Sequence, residues 1–251
     1  MVKEPVDYWV QAGEDLRVRG ANRAWRAYCD GLNAGWLRRA LPERSYRRAL
    51  KTDLYDEAVG GGLEVGVADW VMGIDVAAST ARLARERRGL AALAADVREL
   101  PFGDGTFDLV VSFSTLDHFQ AAGEISRALR EIRRVMAAGG VLALTLDNLS
   151  NPIVRLRNRM PWPLLVRTGL VPYYVGASLS YGQLRRVLTE SGFRMLDSTA
   201  IMHGPRVLMV PLAGRGVGRW LKPVFDGFER LEKLPTRNWT GLYLAVVAEA
   251  S

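Results

Sequence analysis

The sequence has little to offer a metal or a disulfide. Its 251 residues include one cysteine, Cys29, and two histidines, His118 and His203. A disulfide framework, a cysteine-based zinc cluster and a histidine-rich metal site are therefore excluded, and no metal is expected. Lysine is scarce too: only Lys3, Lys51, Lys222 and Lys233 are present, so nearly all the positive charge is arginine. There is no long apolar run. The longest chargeless stretch, Thr168 to Leu184, contains Pro172 and three glycines, too polar and too broken to span a bilayer. Met1-Val2-Lys3-Glu4-Pro5 starts charged and leads to no apolar segment, so no signal peptide is expected and a cytoplasmic location is the default.

What is present is enough apolar material for a sizeable core, 49% of residues, which rules out intrinsic disorder. The net charge of +7 is unevenly spread: residues 1–50 carry +4, residues 51–150 carry −5 and residues 151–240 carry +9. An acidic middle between basic flanks is not the basic stripe of a nucleic-acid binder, and no nucleic-acid partner is expected.

Hydrophobic periodicity divides the chain. Over residues 1–48, Trp9, Leu16, Trp25, Tyr28, Leu32, Trp36 and Leu37 recur at helical spacing, which predicts an N-terminal helical cap. From residue 49 short apolar runs alternate with helical stretches. Strands are expected at Leu50–Tyr55, Trp70–Asp75, Leu90–Ala95, Phe107–Phe113, Val141–Leu146, Phe193–Met202 and Leu242–Ala248. Helices are expected at Ser79–Arg88 with Ser79 as N-cap, at Ala121–Met136, and at Tyr181–Ser191 closed by Gly192. Gly139-Gly140 should turn the chain into the fifth strand. Segments 149–180 and 204–240 read as insertions before strands six and seven. The alternation predicts an α/β fold, a Rossmann-like parallel sheet with helices on both faces.

In such a sheet, ligands bind beyond the carboxyl ends of the strands. The residues there bear chemistry. The first strand leads to Asp56, Glu57, Ala58, Gly60 and Gly62, where glycines allow close backbone approach. The second ends in Asp75-Val76, an acid suited to ribose hydroxyls. The third ends in Asp96-Val97, an acceptor for an exocyclic amine beside an apolar contact for a base. The fourth leads to Ser112, Ser114, Thr115, Asp117 and His118.

Residues 50–150 resemble the class I S-adenosyl-L-methionine (SAM)-dependent methyltransferases. The resemblance rests on the glycine-rich Asp56 to Gly62, on Gly73-Ile74-Asp75-Val76 and on Ala95-Asp96-Val97 with Leu100-Pro101-Phe102. It continues through Phe107-Asp108-Leu109-Val110-Val111-Ser112 and Gly139-Gly140-Val141-Leu142. It implies a seven-stranded sheet whose last strand is antiparallel, and SAM as cofactor. The chain departs from the pattern at Ala58, where a glycine is usual, and in the polar run Lys51-Thr52-Asp53-Leu54-Tyr55. Lys51 and Asp53 are read either as ion pairs at the core edge or as additional cofactor contacts. A nicotinamide enzyme would want Gly-x-Gly-x-x-Gly after the first strand, and Gly60-Gly61-Gly62 cannot supply that spacing.

SAM carries the reactive methyl, so the protein must position an acceptor and, for some acceptors, remove a proton. His118 is the leading base, with the alternative of a histidine in a helix's first turn. Asp117 either orients His118 or caps that helix. Asp147, with Asn148, follows strand five and is either a pocket residue or part of a turn. With an acid after strand four it resembles the Mg²⁺ ligands of catechol-type O-methyltransferases, but Asp117 lies about one helical turn too far on. His203 is a catalytic candidate or a loop histidine. Acceptor contacts are expected from Trp162, Tyr173, Tyr174, Tyr181, Trp220, Phe225 and Phe228, equally readable as core.

The expected function is methyl transfer, preferably to oxygen, on a small or medium organic acceptor such as a natural-product, glycan or lipid-linked intermediate. The alternative is a SAM-binding catalyst that does not methylate (cyclase, lyase or pericyclase), or a binding-only relative. Peripheral membrane contact through 204–237 and a homodimer complete the partner expectations.

Overall fold

The computed structural model describes Tyr8, Val10, Gln11 and residues 23–59, 61–62, 66–161, 164–165, 176–204 and 218–251, with backbone only for 23–26 and 218–222. Trp9, Leu16, Gly60, Trp162, Tyr173, Tyr174 and the side chains of Trp25 and Trp220 lie outside the described residues, as do residues 205–217 of the expected membrane-contacting segment 204–237.

Seven strands form one sheet: β1 (Arg48–Lys51), β2 (Trp70–Asp75), β3 (Ala91–Ala94), β4 (Phe107–Phe113), β5 (Met136–Asp147), β6 (Phe193–Ile201) and β7 (Tyr243–Ala250). Their spatial order is β3-β2-β1-β4-β5-β7-β6. All neighbours are parallel except β7, which runs antiparallel to both β5 and β6. The order reverses between β1 and β4, and the crevice at that switch point is where an open α/β sheet binds its ligand. The helices are α1 (Arg23–Ala40), α2 (Tyr55–Val59), α3 (Ala78–Arg88), α4 (Ala122–Val135), α5 (Pro152–Arg159), α6 (Tyr181–Glu190), α7 (Gly218–Glu229) and α8 (Arg237–Thr240).

The period of two in the strands sorts side chains between two cores. Val110, Leu142, Leu144, Leu146, Leu244 and Val246 pack with Ile125, Leu129 and Ile132 of α4 on one face. Leu109, Val111, Val141, Ala143, Ala245 and Val247 pack with Trp36 and Leu37 of α1 on the other. Near-continuous apolar strands are what a sheet covered on both faces requires.

Three local expectations are revised. The first strand is Arg48–Lys51, not Leu50–Tyr55, because Thr52 and Asp53 turn their side chains to partners at the sheet end. Ser79 does not cap α3: the helix starts at Ala78, the Ala77 side chain offers no cap bond, and the Ala77 N–H instead donates to Asp75 Oδ1 at 2.8 Å. Gly139-Gly140 does not precede the fifth strand but lies inside it. Gly139 has φ +72°, and the pairing register with β4 shifts between Phe107 and Leu109. Such a bulge needs a residue free to adopt positive φ. Gly192 fulfils its expected role after α6, with φ +82° and its N–H donating to Thr189 O.

Gly73 in β2 has a packing role. A Cβ there would meet Leu54 Cδ2 at 2.4 Å, and Leu54 is fully buried. Overpacking of this kind costs about 1–3 kcal/mol. Gly73→Ala therefore lowers the melting temperature, and adding Leu54→Ala restores part of the loss. A thermal melt of the two variants checks this; equal melting temperatures for Gly73→Ala and the parent would refute the contact.

Candidate active site

A cleft of about 720 Å³, including its open mouth, lies at the carboxyl ends of β1 to β4. Its walls are Thr52, Asp53 and Tyr55 after β1, Asp75, Val76 and Thr80 around the end of β2, and Ala95 to Arg98 after β3. Thr115, His118 and Phe119 after β4 close it.

The segment after β1 is held by side chains rather than by glycines. Lys51, the last strand residue, is buried and donates from Nζ to Glu57 Oε2 at 2.8 Å and to the Asp53 carbonyl. Burial alone would push the Lys51 ammonium down, but Glu57 and Asp53 outweigh it and hold it above its usual value. Thr52 Oγ1 donates to Ser112 Oγ at 2.9 Å and also sits 2.9 Å from Thr115 Oγ1, joining the β1 and β4 ends. Asp53 Oδ1 accepts the Tyr55 N–H at 2.9 Å and so starts α2. Loss of solvent and the nearby Asp75 carboxylate push Asp53 up to about 7.

Asp75 Oδ1 accepts the Ala77 N–H and Oδ2 the Leu54 N–H at 3.2 Å. Loss of solvent raises its carboxyl against those two hydrogen bonds. Asp96 is clasped by Arg98: Nη2 donates to Oδ2 at 2.6 Å and Nε to Oδ1 at 3.0 Å. Burial opposes ionisation there, yet the Arg98 bonds hold Asp96 below its usual value. Arg98 also bonds Glu124 and lies 4.9 Å over the Phe119 ring, so its charge is already matched.

On the β4 side, His118 lies in a short 3-10 turn, Leu116–His118, and lines the cleft. Burial pushes its imidazole down to about 3, leaving it neutral at ordinary pH. Asp117 does not cap the turn. It is buried at 3% exposure, and its Oδ2 accepts the Asp147 N–H at 3.2 Å. Its Oδ1 has no hydrogen-bond partner and sits 3.8 Å from His118 Nδ1. Burial and the Asp147 charge push Asp117 well above the carboxylate range. Asp147 in turn pairs with Arg157 of α5 at 2.5 Å. Gly176 presses against this turn from outside. A Cβ there would meet Phe119 O at 2.2 Å, and its N–H donates to Asp117 O.

Other sequence candidates lie elsewhere. Asp56 and Glu57 are in α2, with Glu57 buried against Lys51, and neither lines the cleft. Gly62 has φ +100° and donates its N–H to Asp30 Oδ2 of α1 at 3.3 Å. Ser112 is fully buried beneath Thr52, and Ser114 adopts φ +48° at the β4 exit, with its N–H bonded to Thr145. His203 is buried off the cleft, with Nε2 2.9 Å from Ala200 O and Nδ1 2.8 Å from Thr240 Oγ1. Asn148 forms a turn through Oδ1 to the Ser150 N–H. Tyr181 packs at the edge of the α4-side core, and Phe225 lies 5.8 Å from Tyr28. Among the described residues no cluster of three or more His, Cys, Asp or Glu could hold a metal. Nor is any described helix long and apolar enough to cross a membrane. The lining residues Tyr55, Thr80, Arg98 and Phe119 carried no sequence signal beyond their nearness to strand ends.

A family model described as "Methyltransferase domain" matches residues 56–144. A protein of Encephalitozoon cuniculi whose name assigns it to the methyltransferases is 30% identical over 175 residues, covering 65% of this chain and 79% of that one. The chain belongs to the class I SAM-dependent methyltransferases. A Mycobacterium tuberculosis protein named for SAM-dependent methyltransferase activity is 26% identical over 179 residues, 68% of this methyltransferase and 60% of its relative's length. The fold matches a SAM-dependent methyltransferase from Thermotoga maritima with TM-score 0.59 at 14% identity, covering 94% of this chain and 98% of the other.

The cleft suits this cofactor. Among the described residues it presents three carboxylates, Asp53, Asp75 and Asp96, and one cation, Arg98, which is already paired. That set fits a ligand bearing amines, hydroxyls and positive charge.

Proposed function

We propose that this methyltransferase transfers the methyl group to a hydroxyl of a small or medium organic acceptor. The observation that carries the reading is the cleft itself, with carboxylates on the β1–β3 side and an uncharged histidine on the β4 side. In this reading Asp75 holds the ribose hydroxyls, and Asp96 with Val97 and Val76 receives the adenine. Bound SAM supplies an electrophilic methyl on a positively charged sulfur.

His118 faces the acceptor. With a pKa near 3 it is too weak a base to ionise a hydroxyl beforehand. It can accept that hydroxyl's hydrogen bond and aim the oxygen lone pair. As the O–C bond forms, the oxygen becomes far more acidic than even this imidazolium, and the proton passes to the ring. A methylated amine is a much weaker acid and would gain nothing from so weak a base, which favours oxygen. Asp117 and Asp147, tied to α5 through Arg157, position the turn that carries His118.

Incubation with methyl-labelled SAM and matched hydroxyl and amine acceptors tests the reading. Labelled methyl ether products with release of S-adenosylhomocysteine are expected from the hydroxyl acceptors. SAM binding without methyl transfer to any acceptor would favour the non-methylating alternative. His118→Ala lowers kcat by about tenfold, the worth of one hydrogen bond that orients the acceptor hydroxyl, while SAM affinity stays within about twofold. Normal turnover in that variant would remove His118 from the mechanism.

A further inference from the structure

Asp53 stands in the turn directly after β1, where close backbone approach to a ligand was expected from glycines. We propose that Asp53, which lines the cleft together with Asp75, is a specificity residue that recognises the positive charge of the cofactor's sulfonium. It thereby discriminates the cofactor from its thioether product. This inference rests on the reading of the cleft as the cofactor site.

The geometry places two acids against one ligand space. Both line the cleft, and they are linked through the backbone: Asp53 accepts the Tyr55 N–H while Asp75 accepts the N–H of Leu54 between them. The nearest cation offsets the pair only in part. The Lys51 charge favours the ionised form of both cleft carboxylates, but its Nζ hydrogen-bonds buried Glu57 and the Asp53 carbonyl, so one cation is shared among three carboxylates. Asp56 on α2 adds further negative charge near Asp53. Across the cleft, Asp96 is matched by Arg98, and His118 is neutral. Asp30 on α1, raised to about 6, takes the Gly62 N–H and does not line the cleft. Among the described residues the pair therefore keeps negative charge in excess, consistent with the elevated proton affinity of Asp53. A bound cation relieves that repulsion. S-adenosylmethionine and S-adenosylhomocysteine share every other charged group and differ here by one methyl and one positive charge.

The sign follows from linkage. A cation prefers ionised Asp53, so binding releases a proton wherever the free protein still holds one. Affinity for the sulfonium cofactor falls as pH drops below about 7, and affinity for the thioether falls less. Titration calorimetry between pH 5.5 and 7 tests this, in a range where the ligands' own amino and carboxyl groups stay largely charged. SAM binding is expected to weaken about tenfold from pH 7 to 5.5 and S-adenosylhomocysteine binding less than threefold. Runs in buffers of different ionisation enthalpy should show more proton release with SAM. Asp53→Asn should flatten the SAM pH dependence and narrow the preference for SAM over S-adenosylhomocysteine at pH 7. Asp53→Glu should restore both in part, and Asp30→Asn should leave them unchanged. Parallel pH dependence of the two ligands in the unmodified protein, or an unaltered slope in Asp53→Asn, would overturn the proposal. Absence of binding by either ligand at any pH would instead overturn the cofactor site. If Asp53→Asn fails to fold, the proton-release comparison on the unmodified protein decides alone.

Discussion

Asp75→Ala should reduce SAM affinity by about two to four orders of magnitude. Hydrogen bonds to a charged group are worth about 1.5–3 kcal/mol each, and one carboxylate facing two ribose hydroxyls provides two of them. The side chain also receives the Leu54 and Ala77 N–H groups, so its removal leaves two backbone donors without their partner. A thermal melt separates the effects: the variant should remain folded with a lowered melting temperature and still fail to bind in calorimetry. Asp75→Asn keeps one acceptor oxygen and should fall between the two. Unchanged affinity in Asp75→Ala would remove the β2 acid from the cofactor site.

Glu57→Ala should be the most destabilising single change in the β1 region. Lys51 would stay buried with its charge and lose the carboxylate 2.8 Å away. Breaking a buried ion pair by removing one partner costs about 3–5 kcal/mol. In a chain of this size that lowers the melting temperature by about 10 °C. Replacing both partners, Lys51→Met with Glu57→Leu, removes the stranded charge and should recover most of the loss, a coupling that a double-mutant cycle measures. Equal melting temperatures for Glu57→Ala and the parent would mean that Lys51 escapes to solvent.

The cofactor side of the site was legible where a strand's own pattern ends in an acid. Trp70–Asp75 and Phe107–Phe113 run as apolar strands over the expected residues, and the acid or polar residues at their exits lie at the sheet's carboxyl edge. Asp75, Val76, Asp96, Val97 and His118 line the cleft together because every strand that bears them runs parallel. The β1 exit was less legible. A glycine run attracts attention to Gly60-Gly61-Gly62, but the chain turns eight residues earlier, at Thr52. The devices that hold this turn are long-range: Thr52 to Ser112 and Thr115, and Leu54 against Gly73. No local spacing reports such contacts.

Histidine shows the same division. Both histidines follow strands, and the sequence puts His118 first only through the family resemblance, not through anything local. His118 reaches the cleft, while His203 spends both ring nitrogens on Ala200 and Thr240. Asp117 reads in the sequence either as a cap or as a partner that orients His118, and the return of β5 alongside β4 brings the Asp147 N–H to its carboxylate.

By itself the sequence determined the sheet and its two-sided burial, because strand alternation is a short-range feature written residue by residue, and the class of cofactor followed from the resemblance of residues 50–150 to a known family. Only the tertiary structure decided which carboxylates share one ligand space and which histidine faces it. Those relations depend on parallel strands from distant parts of the chain ending side by side, where burial and neighbouring charge, not residue type, set what each group can do.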